Sequence, residues 1–336
     1  MSETTYRPPE QLRSVAVIGT GSVGASWASL FLAKGLTVWA YDPAPDAPAR
    51  ARAFIDNAWP ALQALGLTRE ATAPHALLQF TDRAADAARQ ADLVQENVFE
   101  KLALKAAVLE EIGQAAGPDR IIISSTGGIP PSQLQAHCPH PERLVVVHPF
   151  NPSHLMPLVE VVGGQHTAPT VVDWALAFCR WMGKKPIELH VEAAGHMTNR
   201  LQFALVREAM ACLLEGVASA QDIDAAVRYG LAPRWNLMGG LMTLHLAGGP
   251  GGMRGILDHA GAAIEQWWTP QAAPDLSDPQ VKARLVQASA EVAAGEPIAQ
   301  WVQWRDQHLV EVLNLQAQSR RDEPGAADAP NAKEAA

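Results

Sequence analysis

Between Ser14 and about Val191, short apolar runs rich in β-branched residues recur along the chain: SVAVIG, TVWAY, LLQF, DLVQE, RIIISS and RLVVVH, then LMPLVEVVGG and PIELHV. Runs of this length and composition predict strands. The stretches between them, among them 23–34, 47–65, 101–115 and 171–182, are long enough for crossover helices. Alternation of this kind predicts βαβ units and a parallel sheet covered on both faces. After Gly195 the strand signal ends: Met197, Leu201, Ala204, Leu205, Cys212 and Leu213 fall at helical spacings within 196–215, and weaker helical patterns run to about Leu315. The expected organisation is an α/β domain over 1–191, an all-α domain over 192–318, and a disordered tail over 319–336, which is rich in Ala, Pro, Asp and Glu.

Composition narrows the function. The 336 residues are 48% hydrophobic and 18% charged, which is ample for two cores and too apolar for a disordered chain. The net charge of −9 and the absence of any basic run longer than Arg320-Arg321 argue against nucleic-acid binding. The polar opening MSETTYRPPE predicts no signal peptide, and no apolar stretch reaches the ~18 residues of a membrane span. A cytoplasmic protein is expected. Cys138, Cys179 and Cys212 are widely spaced among apolar neighbours, which fits free thiols. Cys138 lies between His137 and His140, but no second ligand pair repeats that spacing, so no metal site is expected.

The first strand runs straight into Gly19-Thr20-Gly21-Ser22-Val23-Gly24 and then into a helix, the setting a dinucleotide fingerprint requires. Gly19 serves the tight turn, Gly21 the approach of a pyrophosphate, and Gly24 the close packing of helix on sheet. Strand two ends at Asp42, 18 residues beyond Gly24, where a carboxylate can accept from ribose hydroxyls. Asp42 would repel a 2′-phosphate, and the Pro43-Ala44 that follows supplies no cation for one, so NAD is expected over NADP. The first domain therefore reads as a Rossmann-like, doubly wound α/β fold.

A nicotinamide cofactor does not say what is oxidised, and a proton acceptor at a strand end is the next requirement. His148 ends RLVVVH. Glu160 lies 12 residues on, inside the apolar run LMPLVEVVGG, where an unpaired carboxylate is costly. If the two strands are neighbours, Glu160 can accept from one imidazole nitrogen and leave the other to take a hydroxyl proton. An imidazole of ordinary pKa, about 6.5, is largely neutral at physiological pH and suits that task.

Taken together, GTGSVG, Asp42, QENVFEKLALK, SSTGGI, HPFNPSHLMPLVEVVGG and GHMTNRLQFALVREA resemble the 3-hydroxyacyl-CoA dehydrogenase family in order and spacing over nearly the whole chain. NAWPAL, RWNLMGGLMTLHLAGGPGGMR and WTPQAAPDLSD look like its branch acting on free 3-hydroxy acids, which includes dehydrogenases of L-carnitine and L-gulonate and a lens crystallin. The resemblance implies that His148 is the base, Glu160 its orienting carboxylate and Asn199 a polar group near the substrate oxygen. It also implies that Glu96 lies near the nicotinamide with Lys105 on the following helix, and that the protein is a homodimer paired through its helical half. For Lys105 the alternative is a solvated helix face.

One position departs from the family, which usually carries a serine where SSTGGI has Gly127. Loss of that hydroxyl is expected to weaken the transition state by ~1–3 kcal/mol unless Thr126 or Ser125 substitutes, or to enlarge the pocket for another substrate. The expected reaction is NAD-dependent oxidation of a small L-3-hydroxy acid. L-carnitine is favoured because the region after strand two has no lysine to meet CoA phosphates, only Arg50, Arg52 and Arg69, with Trp59 and Pro60 interrupting it. Tyr229, Trp235, Trp267 and Trp268 could face a quaternary ammonium, or could simply fill the helical core. L-gulonate, a 3-hydroxyacyl-CoA, and an NAD-binding structural or sensory role are the alternatives.

Overall fold

The computed structural model describes residues 6–268 and 274–319 and divides into two compact units, with the boundary in the chain between Arg200 and Leu201. The expectation for the tail beyond 319 falls outside the described residues, as does part of WTPQAAPDLSD.

In the first unit every expected strand forms: β1 (Ser14–Ile18), β2 (Thr37–Tyr41), β3 (Leu78–Phe80), β4 (Leu93–Glu96), β5 (Ile121–Ser124), β6 (Leu144–Pro149), β7 (Leu158–Gly163) and β8 (Lys185–Glu188). They make one sheet of order β3-β2-β1-β4-β5-β6-β7-β8. Order reverses between β1 and β4, and ligands of such sheets bind beyond the strand carboxyl ends at that switch point.

Alternate residues of each strand feed opposite faces. Val15, Val17, Ile123, Val145 and Val147 pack with Trp27, Phe31, Ile55 and Phe178, the side covered by α1 (Ser22–Ala33), α2 (Ala47–Ala64) and α6 (Pro169–Trp181). Ala16, Ile18, Ile122, Leu144 and Val146 pack with Ala84, Ala88, Leu109, Ile112 and Leu134, under α3 (Ala84–Gln90), α4 (Leu102–Ala115) and α5 (Pro131–Gln135). Burial on both faces explains why the strands read as continuous apolar runs. Two expectations need correction. Pro60 does not interrupt α2, which continues through it to Ala64. Nor is the sheet parallel throughout, because β6 and β7 are antiparallel. The link between them, 150–157, is shorter than the dozen or so residues a parallel crossover needs.

The second unit begins within α7 (Thr198–Leu214) and continues through α8 (Ala220–Ala225), α9 (Ala232–Ala247), α10 (Gly252–Trp267), α11 (Pro279–Ala293) and α12 (Ile298–Ser319). Leu213, Ala220 and Ala288 form a small core there, with Ile223, Leu285 and Val292 against it. Among the described residues, no helix is long and apolar enough to cross a membrane.

Candidate active site

The carboxyl ends of β1, β4, β5 and β6 gather the expected site residues of the first unit. After β1 the chain turns at Gly19, whose φ of +87° is left-handed. A Cβ there would lie 2.9 Å from the Asn97 carbonyl oxygen, and one on Gly24 would lie 1.9 Å from that of Gly19. Neither position tolerates a side chain. A Cβ on Gly21 would meet nothing within 4 Å, and no side chain caps the start of α1. Open amides at a helix start suit a pyrophosphate, so the cradle fits NAD. Asp42 accepts from the Thr20 amide (2.8 Å) and hydroxyl (3.2 Å) and from the Ala44 amide (3.1 Å). A carboxylate has about four acceptor directions, which leaves one for a ribose hydroxyl.

Glu96 ends β4 and is fully buried with Lys105 of α4. The Lys105 Nζ donates to both Glu96 oxygens, at 2.8 and 3.1 Å, and to the Val98 carbonyl at 3.0 Å. Glu96 also accepts from the Val98 amide (2.7 Å) and the Ser124 hydroxyl (2.5 Å). The solvated alternative for Lys105 is thus overturned: only 1% of it is exposed, and its three hydrogens tie the Glu96 carboxylate at the end of β4 to the Val98 carbonyl of the loop that follows.

The antiparallel register sets His148 directly opposite Glu160. Directly opposed residues of an antiparallel pair share a face with their Cβ atoms ~5 Å apart, which is within reach of a side-chain hydrogen bond. The Glu160 Oε2 lies 2.8 Å from His148 Nδ1. Its Oε1 accepts from the Met197 amide (3.1 Å), the Thr198 amide (2.7 Å) and the Thr198 hydroxyl (3.0 Å), at the start of α7. Burial works against the Glu160 carboxylate, but the bonds from His148 and Thr198 outweigh it and hold the group below the usual carboxylate range. An ionised Glu160 accepts from Nδ1–H, so in the neutral imidazole the lone pair is on Nε2, which has no partner among the described residues.

The Nε2 faces the loop after β5. Thr126, expected as a substitute donor for the missing serine, does not serve: its hydroxyl donates to Glu100 Oε1 (2.5 Å) and accepts from the Ile129 amide (3.1 Å). The Ser125 hydroxyl accepts from the Gln95 amide group (2.7 Å), a bond that does not use its own hydrogen. Asn199 lies beside this loop, its Nδ2 donating to the Gly127 carbonyl at 2.8 Å and keeping one hydrogen spare. Trp235 is in the second unit on α9, with 40% of its surface exposed.

Three residues with parts in this arrangement carried no assigned role in the sequence. Glu100 Oε1 also accepts from the Gly128 (2.9 Å) and Ile129 (3.3 Å) amides. Burial opposes its charge, but Thr126, Lys105 and these amides hold its carboxyl below the usual range. His196 is fully buried in a left-handed conformation (φ 52°), with its ring 5.2 Å from that of His148 and its Nε2 3.1 Å from the Thr126 carbonyl oxygen. Burial first, then His148, push its imidazolium down, so it is neutral and donates to that carbonyl. Thr198 braces Glu160. Only the Gly195-His196 pair, a turn signal before a helix, could have pointed here.

Two family models match the chain in order: "3-hydroxyacyl-CoA dehydrogenase, NAD binding domain" over residues 14–192 and "3-hydroxyacyl-CoA dehydrogenase, C-terminal domain" over 195–296. The L-carnitine dehydrogenase of a Bacillus cereus strain is 43% identical over 90% of this chain and 92% of its own length. That of Streptomyces coelicolor is 44% identical over 91% and 95%. Among solved structures, 5-formyl-3-hydroxy-2-methylpyridine 4-carboxylic acid 5-dehydrogenase, an NAD+-dependent dismutase, superposes with a TM-score of 0.78 at 32% identity, covering 91% of this chain and 99% of that one. Matched through both its domains, the chain belongs to the 3-hydroxyacyl-CoA dehydrogenase family and is an NAD-dependent 3-hydroxy acid dehydrogenase.

Proposed function

We propose that this protein oxidises the 3-hydroxyl of a small free L-3-hydroxy acid, with L-carnitine as the leading substrate. The observation that carries the chemistry is the His148 Nε2, left bare by a Glu160 that holds the opposite nitrogen. His148 takes the hydroxyl proton while the C3–H bond breaks and the carbonyl forms. Bound NAD supplies the hydride acceptor. Glu160 holds the ring and balances the imidazolium that forms, and Asn199 has a hydrogen to spare for the reacting oxygen. Gly19, Gly21, Gly24 and Asp42 hold the dinucleotide, while Glu96 and Lys105 support that side of the site from within.

The substrate assignment draws on the L-carnitine dehydrogenases at 43–44% identity. It also draws on the scarcity of cations where CoA phosphates would need them: no lysine and three arginines, of which Arg69 is exposed. Arg50 pairs with Asp46 at 3.1 Å, and Arg52 donates to the His75 and Leu78 carbonyls, each at 3.3 Å. Tyr229, Trp235, Trp267 and Trp268 are exposed rather than core residues of the helical unit; the Arg228 guanidinium lies over the Tyr229 ring at 5.4 Å, which leaves the tryptophans to face a quaternary ammonium. The same exposed apolar surface supports pairing of two copies through that unit. A monomeric mass at micromolar concentration would refute the pairing. Steady-state kinetics with L-carnitine, L-gulonate and 3-hydroxybutyryl-CoA test the substrate. The highest kcat/KM is expected for L-carnitine, and a highest value for the CoA ester overturns the assignment.

A further inference from the structure

Gly127 needs no unusual backbone, since its φ lies outside the left-handed region, so something other than conformation must account for the missing side chain. A Cβ added there would lie 3.3 Å from His148 Nε2, 3.7 Å from its Cδ2 and 3.8 Å from Asn199 Nδ2. The first distance is tighter than ordinary van der Waals contact, so one side would have to yield. Neither side is free to do so. The loop is held from one direction by Glu100, which accepts from Thr126, Gly128 and Ile129. From the other direction, three successive carbonyls, Thr126, Gly127 and Gly128, accept from the His196 Nε2 (3.1 Å), the Asn199 Nδ2 (2.8 Å) and the Gly195 amide (3.1 Å). The imidazole is fixed in turn through Glu160.

We propose that Gly127 is a specificity-determining position, leaving the volume between His148 Nε2 and Asn199 to a 3-hydroxy acid that is bulky two bonds from its carbinol carbon. This rests on the 3-hydroxy acid reaction above. The carbinol oxygen must come within ~2.6–3.2 Å of Nε2 to give up its proton, so the carbinol carbon and its substituents crowd the same radius as that Cβ. An unbranched chain can leave along one direction. A tetrahedral group on C4, such as a quaternary ammonium, needs a second, and the glycine leaves one open. On this view a serine at 127 does not repair a defect; it fills the substrate's space.

The test compares Gly127→Ala and Gly127→Ser with the wild type on two acids that share a frame, unbranched 3-hydroxybutyrate and L-carnitine. Thermal melting and NAD titration confirm that each variant folds and binds cofactor. Both variants should lower kcat/KM for L-carnitine at least tenfold more than for 3-hydroxybutyrate. Equal losses on the two acids, or a Gly127→Ser protein faster on L-carnitine than the wild type, overturn the proposal. The wild type alone tests the free-acid assignment. If it prefers thioesters, the same ratio is read on unbranched 3-hydroxyacyl thioesters and on ones branched at C5, with the same outcomes deciding.

Discussion

Replacing Glu160 with Gln keeps the shape of the dyad and removes one charge, and the surroundings of Glu160 leave the amide no good orientation. Three donors, the Met197 and Thr198 amides and the Thr198 hydroxyl, point at Oε1, and His148 Nδ1–H points at Oε2. If the amide oxygen faces His148, the NH2 group faces those donors. If the NH2 faces His148, Nδ1 must become the acceptor, the proton moves to Nε2, and the base is lost. In either case the imidazolium formed in the reaction loses its counter-charge. At a charge separation of about 4 Å and an effective dielectric near 20, that attraction is ~4 kcal/mol. At about 1.4 kcal/mol per decade this corresponds to a fall of ~10³ in kcat. NADH absorbance at saturating NAD measures it, with NAD titration and a thermal melt as controls for folding. Because the carboxylate acts through the imidazole, the same change in a His148→Ala background should cost far less. A Glu160→Gln rate within threefold of wild type, or an undiminished loss in the His148→Ala background, would refute the dyad.

Further outcomes follow from individual contacts. His148→Ala should lower kcat by ~10²–10⁴ or more while the NAD dissociation constant stays within a few-fold; near-normal turnover would mean that another group takes the proton. Asp42→Ser should raise the use of NADP relative to NAD by tenfold or more, because it removes the carboxylate that repels a 2′-phosphate; an unchanged ratio would move cofactor choice elsewhere. Burial pushes the Lys184 amine down to about 7, and its Nζ donates to the Ser153 (2.6 Å) and Met156 (2.9 Å) carbonyls, two bonds that a neutral amine can supply. A lysine lowered on folding is charged in the unfolded chain and neutral in the folded one between about 7 and its ordinary value near 10.5, so its contribution to stability rises with pH across that window. Denaturant unfolding of wild type and Lys184→Met should therefore show their difference shifting toward wild type from pH 7 to 10, by up to ~1.4 kcal/mol per unit; a flat difference would mean the amine stays charged when buried.

The strands of the first unit and the glycine turn were legible in the chain because both signals are local. A buried strand announces itself by a continuous apolar run, and Gly19 and Gly24 stand where no Cβ fits. The pairing of His148 with Glu160 was legible only as a condition, since two residues 12 apart in sequence need not lie on neighbouring strands. Tertiary structure met that condition through a link too short for a crossover, which forced β7 to run antiparallel and brought the two residues into register. Lys105 shows the same limit from the other side. Its sequence suits a solvated helix face as well as a buried pair, and only the packing of α4 against the end of β4 makes Glu96 its partner. Thr126 had a hydroxyl at the right position in sequence, yet Glu100 claims it. His196 joins the site only because a left-handed turn before α7 folds it against His148. Sequence determines which backbone each segment prefers, because that preference is set within a few bonds. Which acceptor a given hydroxyl, amine or imidazole meets is decided by non-local contacts, and these exist only once strands and helices have packed.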